Sequence, residues 1–412
     1  RLMHAWGELL EGLRALRGDL RRVITTVLGV AWGTFAVVGL GAFSTGLEES
    51  MATRAAGMGQ GIVIVWPGQT TKPWQGVPEG RAIRLTAEEV RRLPASVPGI
   101  AEISPENSVY ARLRRGGQAF LPELTGVDPA YGALRNLPAQ PGGRFLSELD
   151  LRERRRVVFL GDRVAQQLFG TADPVGQTLM LADTPFTVIG VMQPKQQDSD
   201  YGSHDTARAF IPWSTFAQIF GSRAVENFVL RAEDPAQLPG VIDGLYSSLA
   251  RSHRFDPSDR FSLSLWDTTE ADQVRRQAFS AMDLLTLLAG TFTMLVGAIG
   301  VGNLMFLVVR RRTAEFGLRM ALGARPAWIL RGVLLEALLL VGFGGVLGFF
   351  AAAGVAMLVG ATPLVEDLGQ PRISTELALG VSLLLLVVGL AAGWFPARRA
   401  ARLQPAAALA EV

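Results

Sequence analysis

The sequence predicts an α-helical membrane protein with four transmembrane helices and one large extracytoplasmic α+β domain. Three observations lead there. Of 412 residues, 49% are hydrophobic and only 19% charged, where a soluble domain carries about a quarter charged residues. Four apolar stretches reach the roughly 20 residues that a bilayer span needs. Arginines gather beside those stretches in a one-sided pattern. The same composition excludes other classes. The 46 glycines follow no triplet repeat, and the absence of Cys removes disulfides, thiolate nucleophiles and Cys-ligated metals. His4, His204 and His253 are too scattered for a His metal cluster. A net charge of +3 gives no footprint for a nucleic-acid partner.

Taking the elements in order, residues 1–22 repeat Trp6, Leu9, Leu10, Leu13, Leu16 and Leu20 at helical spacing. They read as an amphipathic helix at the cytoplasmic interface, or alternatively as one packed on a protein partner. Val23–Phe43 carries no charge and lacks a small-x-small cleavage site, so it reads as a retained span and not a cleaved signal. Leu284–Val309 is uncharged up to Arg310-Arg311-Arg312, Val333–Val359 holds Glu336 alone, and Leu377–Phe395 is uncharged. Arg14, Arg17, Arg21 and Arg22 precede the first span. Arg310, Arg311, Arg312, Arg319, Arg325 and Arg331 lie between the second and third, and Arg398, Arg399 and Arg402 follow the fourth. The loop between the third and fourth has only Arg372 against Glu366, Asp367 and Glu376. The positive-inside rule then puts both termini in the cytoplasm and residues 44–283 outside.

Within 44–283, Leu47–Met51 continues the first span as a helix, Ile62–Val65 is a strand, and Thr86 caps a helix that buries Val90, Leu93 and Val97. Ala101–Ser104 is the returning strand. The pattern recurs as strand Phe228–Leu230, helix Leu238–Ala250 and strand Phe261–Trp266. These two units, about 60–108 and 223–267, suggest a ferredoxin-like layer interrupted by a β-rich insertion over about 109–222. In the insertion, Val157–Leu160 reads as a strand, Val164 to Phe169 as a helix, Pro174-Val175-Gly176 as a turn and Phe186–Val191 as a strand. Thr268–Asp283 is a polar helical stalk leading back to the second span.

The search for chemistry returns little. No G-x-x-x-x-G-K-[ST], G-x-S-x-G or H-E-x-x-H is present, so the chain is not expected to be catalytic by itself. Asp198, Asp200, His204 and Asp205 share one polar loop, which reads as solvated in preference to a metal site. Glu336, near the interface, is expected to snorkel or to pair with a neighbouring helix and not to carry protons. The scarcity of intramembrane charge disfavours an ion-coupled transporter. Gly29–Gly33, Gly344–Gly348 and Gly389–Gly393 are G-x-x-x-G pairs, and Gly297 and Gly300 lie close together, which predicts tightly packed helices and no wide pore.

The loop from Arg310 to Pro326 is the most informative segment. It can form a short helix with charged and apolar faces, released by Gly323 and followed by a helix begun at Pro326. Setting topology alone would not call for Glu315 among the arginines or for Phe316, Leu318 and Met320; docking into a protein groove would. Arg312, Thr313, Glu315, Gly317, Arg319, Ala321, Gly323, Ala324 and Arg325 match R-T-x-E-I-G-x-R-x-A-x-G-A-[RS], with Phe316 at the Ile position. Pro396-Ala397-Arg398-Arg399-Ala400-Ala401 through Pro405 is similar to P-A-x-x-A-A-x-x-x-P, although Ala407 and Ala410 depart from the usual charged tail. Pro174–Thr178 and Phe186–Val191 also fit. Over its whole length the chain resembles the MacB/FtsX-like permeases of ABC transporters.

That resemblance implies a dimeric permease of the bacterial inner membrane that pairs with a separate ABC ATPase, which would bind ATP and Mg. No ATPase pattern is seen in this chain, so the partner subunit is expected. The interrupted layer would be the family's porter subdomain. Arg312, Glu315, Phe316, Gly317, Leu318, Arg319, Met320, Gly323 and Arg325 would couple to the ATPase. Movement would be passed to the periplasmic domain by mechanotransmission, exporting or extracting a drug-like molecule, peptide or lipoprotein. The alternative is an FtsX-like signal transmitter acting on a cell-wall hydrolase or sensor. A periplasmic adaptor would favour efflux, a lipoprotein carrier extraction, and a hydrolase signalling.

Overall fold

The computed structural model describes residues 20–197, 200–365 and 369–403. Most of the expected N-terminal amphipathic helix therefore lies outside the described residues. The chain divides into two compact units, one of residues 51–276 and one of the residues flanking them on both sides.

In chain order the elements begin with α1 (Leu20–Met58), β1 (Ile62–Pro67), α2 (Ala87–Ser96), β2 (Ile100–Tyr110), β3 (Leu113–Arg115), β4 (Gln118–Phe120) and β5 (Glu123–Val127). Then come α3 (Tyr131–Leu134), α4 (Glu148–Arg152), β6 (Val157–Leu160), α5 (Asp162–Phe169), β7 (Thr178–Leu181), β8 (Thr184–Val191) and β9 (Arg208–Pro212). They close with α6 (Trp213–Phe220), β10 (Asn227–Ala232), α7 (Leu238–His253), β11 (Leu263–Asp267), α8 (Thr268–Arg311), α9 (Thr313–Ala321), α10 (Pro326–Gly360) and α11 (Thr375–Ala401).

In the 51–276 unit the strands of the described residues join one sheet of 11 strands, ordered β11-β1-β10-β2-β5-β9-β6-β8-β7-β3-β4. Its first four strands, with α2 and α7, form the two interleaved strand–helix–strand units that the repeat predicts. The insertion does not form a sheet of its own. β2 runs past Ser104, so that Glu106–Tyr110 pair with β5 along one edge while its earlier residues pair with β10 along the other. β1 reads as an unbroken apolar run because both its faces are covered. Val63 and Val65 pack with Phe228, Val90 and Leu245, and Ile62 and Ile64 pack with Val229, Phe210 and Tyr131. α2 starts where Thr86 predicts: the Thr86 hydroxyl accepts from the Glu89 N–H at 3.3 Å, and the Glu89 carboxylate accepts from the Thr86 N–H at 2.8 Å.

Among the described residues four helices are long and apolar enough to cross a membrane, α1, α8, α10 and α11, and the other unit holds most or all of each. Small residues let their backbones approach. A Cβ on Gly348 would stand 2.2 Å from the Ala31 carbonyl oxygen, and one on Gly344 would stand 3.0 Å from that of Val27, so α10 meets α1 backbone to backbone. Gly33 faces Met294, and Gly297 faces Val30 and Gly29, which joins α1 to α8; Gly300 lies looser, near Thr26. Gly389 and Gly393 of α11 meet Leu338 and Ala337 of α10. Outward side chains such as Phe292, Val296 and Met357 are exposed and apolar, as a lipid-facing surface requires.

Candidate functional site: the loop helix between the second and third spans

α9 follows α8 after a single residue, Arg312. That residue organises the loop. Its Nε and Nη2 donate to the two Glu315 oxygens at 2.9 and 3.1 Å, while Nη1 donates to Glu336 Oε1 of α10 at 2.7 Å. The Arg312 guanidinium holds the Glu315 carboxyl below the ordinary carboxylate range. Arg319 joins Glu315 from one turn on, at 2.5 Å, and lies 5.7 Å from the Trp328 ring centroid. Glu336, expected to snorkel or to pair with a neighbouring helix, pairs with Arg312, the residue that links α8 to α9.

The loop's apolar residues divide between two directions. Phe316 is 4% exposed, packed into the helical core under the Arg312 guanidinium, and Gly317 is buried beside it. Met320 packs against the same core and is partly buried. Leu318 is 52% exposed and Leu322, one turn further, 81% exposed. Trp328 at the start of α10 is exposed as well. The sequence groups Phe316, Leu318 and Met320 together, yet only Leu318 faces outward. Leu322 and Trp328 were not singled out, although Leu318 and Leu322 are spaced one turn apart.

The helix ends sharply. Gly323 takes φ +95°, its N–H donates to the Met320 carbonyl, and the Ala324 N–H reaches back to Arg319. This satisfies the last carbonyls in the way a left-handed terminating glycine allows. Arg325 then occupies the position before α10, with Pro326 in its first turn.

Of a second polar cluster, in the 51–276 unit, the sequence reading names only Asp205. Glu106 accepts from Tyr131 at 3.0 Å, Tyr201 at 2.5 Å, Asn227 at 2.8 Å and Arg208 at 3.3 Å. Asp205 pairs with Arg135 and Lys195, both at 2.8 Å. Glu123 accepts from the Ser203 N–H at 2.7 Å and lies 3.4 Å from Arg208. Three carboxylates and three cations thus balance in a buried group. The loop carrying Asp200, His204 and Asp205, expected to be solvated, is anchored instead: Asp205 is fully buried, and its desolvation is compensated by two cations. Burial would raise its carboxyl, but Arg135 and Lys195 outweigh that and hold it low. Burial draws the Lys195 ammonium below its ordinary value against the pull of Asp205. Asp198 lies outside the described residues, and no group of three metal-ligating side chains occurs among the described ones.

Residues 23–245 match the MacB-like periplasmic core domain, and residues 287–405 match the FtsX-like permease C-terminal domain. The chain is 34% identical to the macrolide export ATP-binding/permease protein MacB of Rhodospirillum rubrum, over 98% of this chain and 60% of that protein. It is 31% identical to the pyoverdine export ATP-binding/permease protein PvdT of Pseudomonas savastanoi pv. phaseolicola, over the same shares. The chain thus spans about 60% of the length of these relatives. Among solved structures, the periplasmic region of MacB from Actinobacillus actinomycetemcomitans is similar at 21% identity and a TM-score of 0.43, covering 53% of this chain and 94% of that one. With more than half of its residues matched by the periplasmic core domain and the C-terminal part matched by the FtsX-like domain, this chain belongs to the MacB/FtsX-like family of ABC transporter permeases.

Proposed function

We propose that this chain is the permease of an ABC exporter in the bacterial inner membrane. Both termini and α9 lie in the cytoplasm, and residues 51–276 lie in the periplasm. An ABC-type ATPase subunit, binding ATP and Mg, grips α9, and two permease chains form the dimer on which it acts. The uninterrupted helices α1 and α8 transmit the movement outward, so that cargo is driven from the periplasmic side. Relatives named for macrolide and pyoverdine export support a small-molecule or short-peptide cargo over a lipoprotein.

The observation that supports this reading most is the division of labour in α9. Arg312 ties the helix to α10 through Glu336, Phe316 seats it in the core, and Leu318 and Leu322 stand exposed on the far side. A short helix braced from within can pass force without deforming, and Leu318 on it with Leu322 just past its end suit an apolar groove on a motor. Leu322→Asp touches nothing that holds the fold. It is expected to lower ATPase activity stimulated by the permease at least tenfold while the chain still elutes as a folded membrane protein. Glu315→Arg, which breaks the brace, should do the same. Undiminished coupling in Leu322→Asp would remove α9 as the contact.

A further inference from the structure

One end of the four-helix unit holds a cavity of about 950 Å3 into which three arginines converge: Arg22 of α1, Arg310 of α8 and Arg399 of α11. Arg22 immediately precedes the first apolar stretch, Arg310 ends the second and Arg399 follows the fourth. Three guanidinium groups from three different helices therefore share one membrane–water boundary. Among the described residues no carboxylate lines this cavity and none of the three arginines forms an ion pair. Arg312 and Arg319, a few residues away in sequence, are both paired.

The wall is of two kinds. Thr25, Thr26 and Asn303 add hydrogen-bonding groups, while Leu304, Phe306 and Leu307 make an apolar side. A free anion would use only the first kind. A molecule with a phosphate at one end and methylenes at the other would use both, and guanidinium forks suit phosphate oxygens. Basic pockets between the ends of membrane helices are a recognised setting for anionic headgroups.

We propose that this cavity binds one anionic phospholipid of the adjoining leaflet, its phosphate held by Arg22, Arg310 and Arg399 and the upper part of its acyl chains against Leu304, Phe306 and Leu307. The lipid would tie together the ends of α1, α8 and α11, which otherwise bring three like charges into one space. Of α9 only its first residue, Thr313, reaches the wall, and the site stands whether or not α9 contacts an ATPase.

The test is native mass spectrometry of the full chain released from nanodiscs of palmitoyl-oleoyl phosphatidylglycerol or of phosphatidylcholine with the same chains. One phosphatidylglycerol retained per chain, with no phosphatidylcholine retained, is the expected result. Each single Arg→Gln variant should weaken retention about fivefold and the triple variant of order a hundredfold, from about 1 kcal/mol per basic residue near a lipid surface. The triple Arg→Lys variant, which keeps the charge, should stay within a few-fold of wild type and serves as the folding control; if the triple Gln chain does not fold, the single variants are read alone. Equal retention of both lipids, or unchanged retention in the Gln variants, overturns the proposal. Displacement of the lipid by millimolar inorganic phosphate would assign the cavity to a free anion. Loss of chain dimers in step with loss of lipid would assign it to a second copy of the chain. Either result overturns the lipid assignment.

Discussion

Arg312 grips Glu315 with two N–H groups and Glu336 with a third, a two-point contact that the fixed fork of a guanidinium gives and the point charge of an ammonium does not. Its side chain and that of Glu336 are mostly buried, so removing one leaves the other charge without compensation. Arg312→Ala should destabilise the chain by about 2–3 kcal/mol, and Arg312→Ala/Glu336→Gln should recover part of that loss. Thermal unfolding in detergent reads both, and a single variant as stable as wild type would contradict the pairing. Asp150 gives a pH prediction. Burial would raise its carboxyl, but hydrogen bonds from Arg144 and Ser147 hold it at about 2, below the ordinary 3.8. Its folded value is depressed, so its contribution is full above about pH 4 and is lost as pH falls through 2. Unfolding midpoints followed across that window should fall in wild type, and Asp150→Asn should lower the midpoint at neutral pH and flatten that part of the profile.

At the scale of elements, α1 and α10 approach until a glycine is the only residue that fits between them. Gly348→Leu would drive its Cβ into the Ala31 carbonyl and should cost about 1–3 kcal/mol by overpacking. Gly342, on the same helix with open space around its Cα, is the control and should accept Leu with little change in melting temperature. Similar losses at both positions would mean that size on α10 matters independently of the α1 contact. The loop helix α9 illustrates the opposite need, an element kept short. A left-handed Gly323 and a first-turn Pro326 stop it after nine residues and begin α10 at once, which keeps Leu318 and Leu322 on a defined face.

For the whole molecule, the absence of cysteine permits a clean test of sidedness. Leu322 and Phe261 are 81% and 78% exposed, one in each unit. In intact spheroplasts, Phe261→Cys should react with a membrane-impermeant maleimide, and Leu322→Cys only after the membrane is opened. Labelling of both in intact cells would break the orientation that the arginines imply.

Membrane spans, the capped helix at Thr86 and the turn at Gly323 were legible from the sequence because each is written within a few consecutive residues. A bilayer demands an uninterrupted apolar length, and a cap or a left-handed glycine is local chemistry. The two strand–helix–strand units were legible for the same reason, as each repeats a short pattern. Tertiary structure alone decided that the insertion extends the same sheet through β2, that Phe316 turns inward while Leu322 faces out, and that Asp205 is buried. The partners of Glu106 lie 25 to 121 residues away from it in sequence. No local pattern encodes such pairings, because charges that distant meet only once the sheet between them has formed.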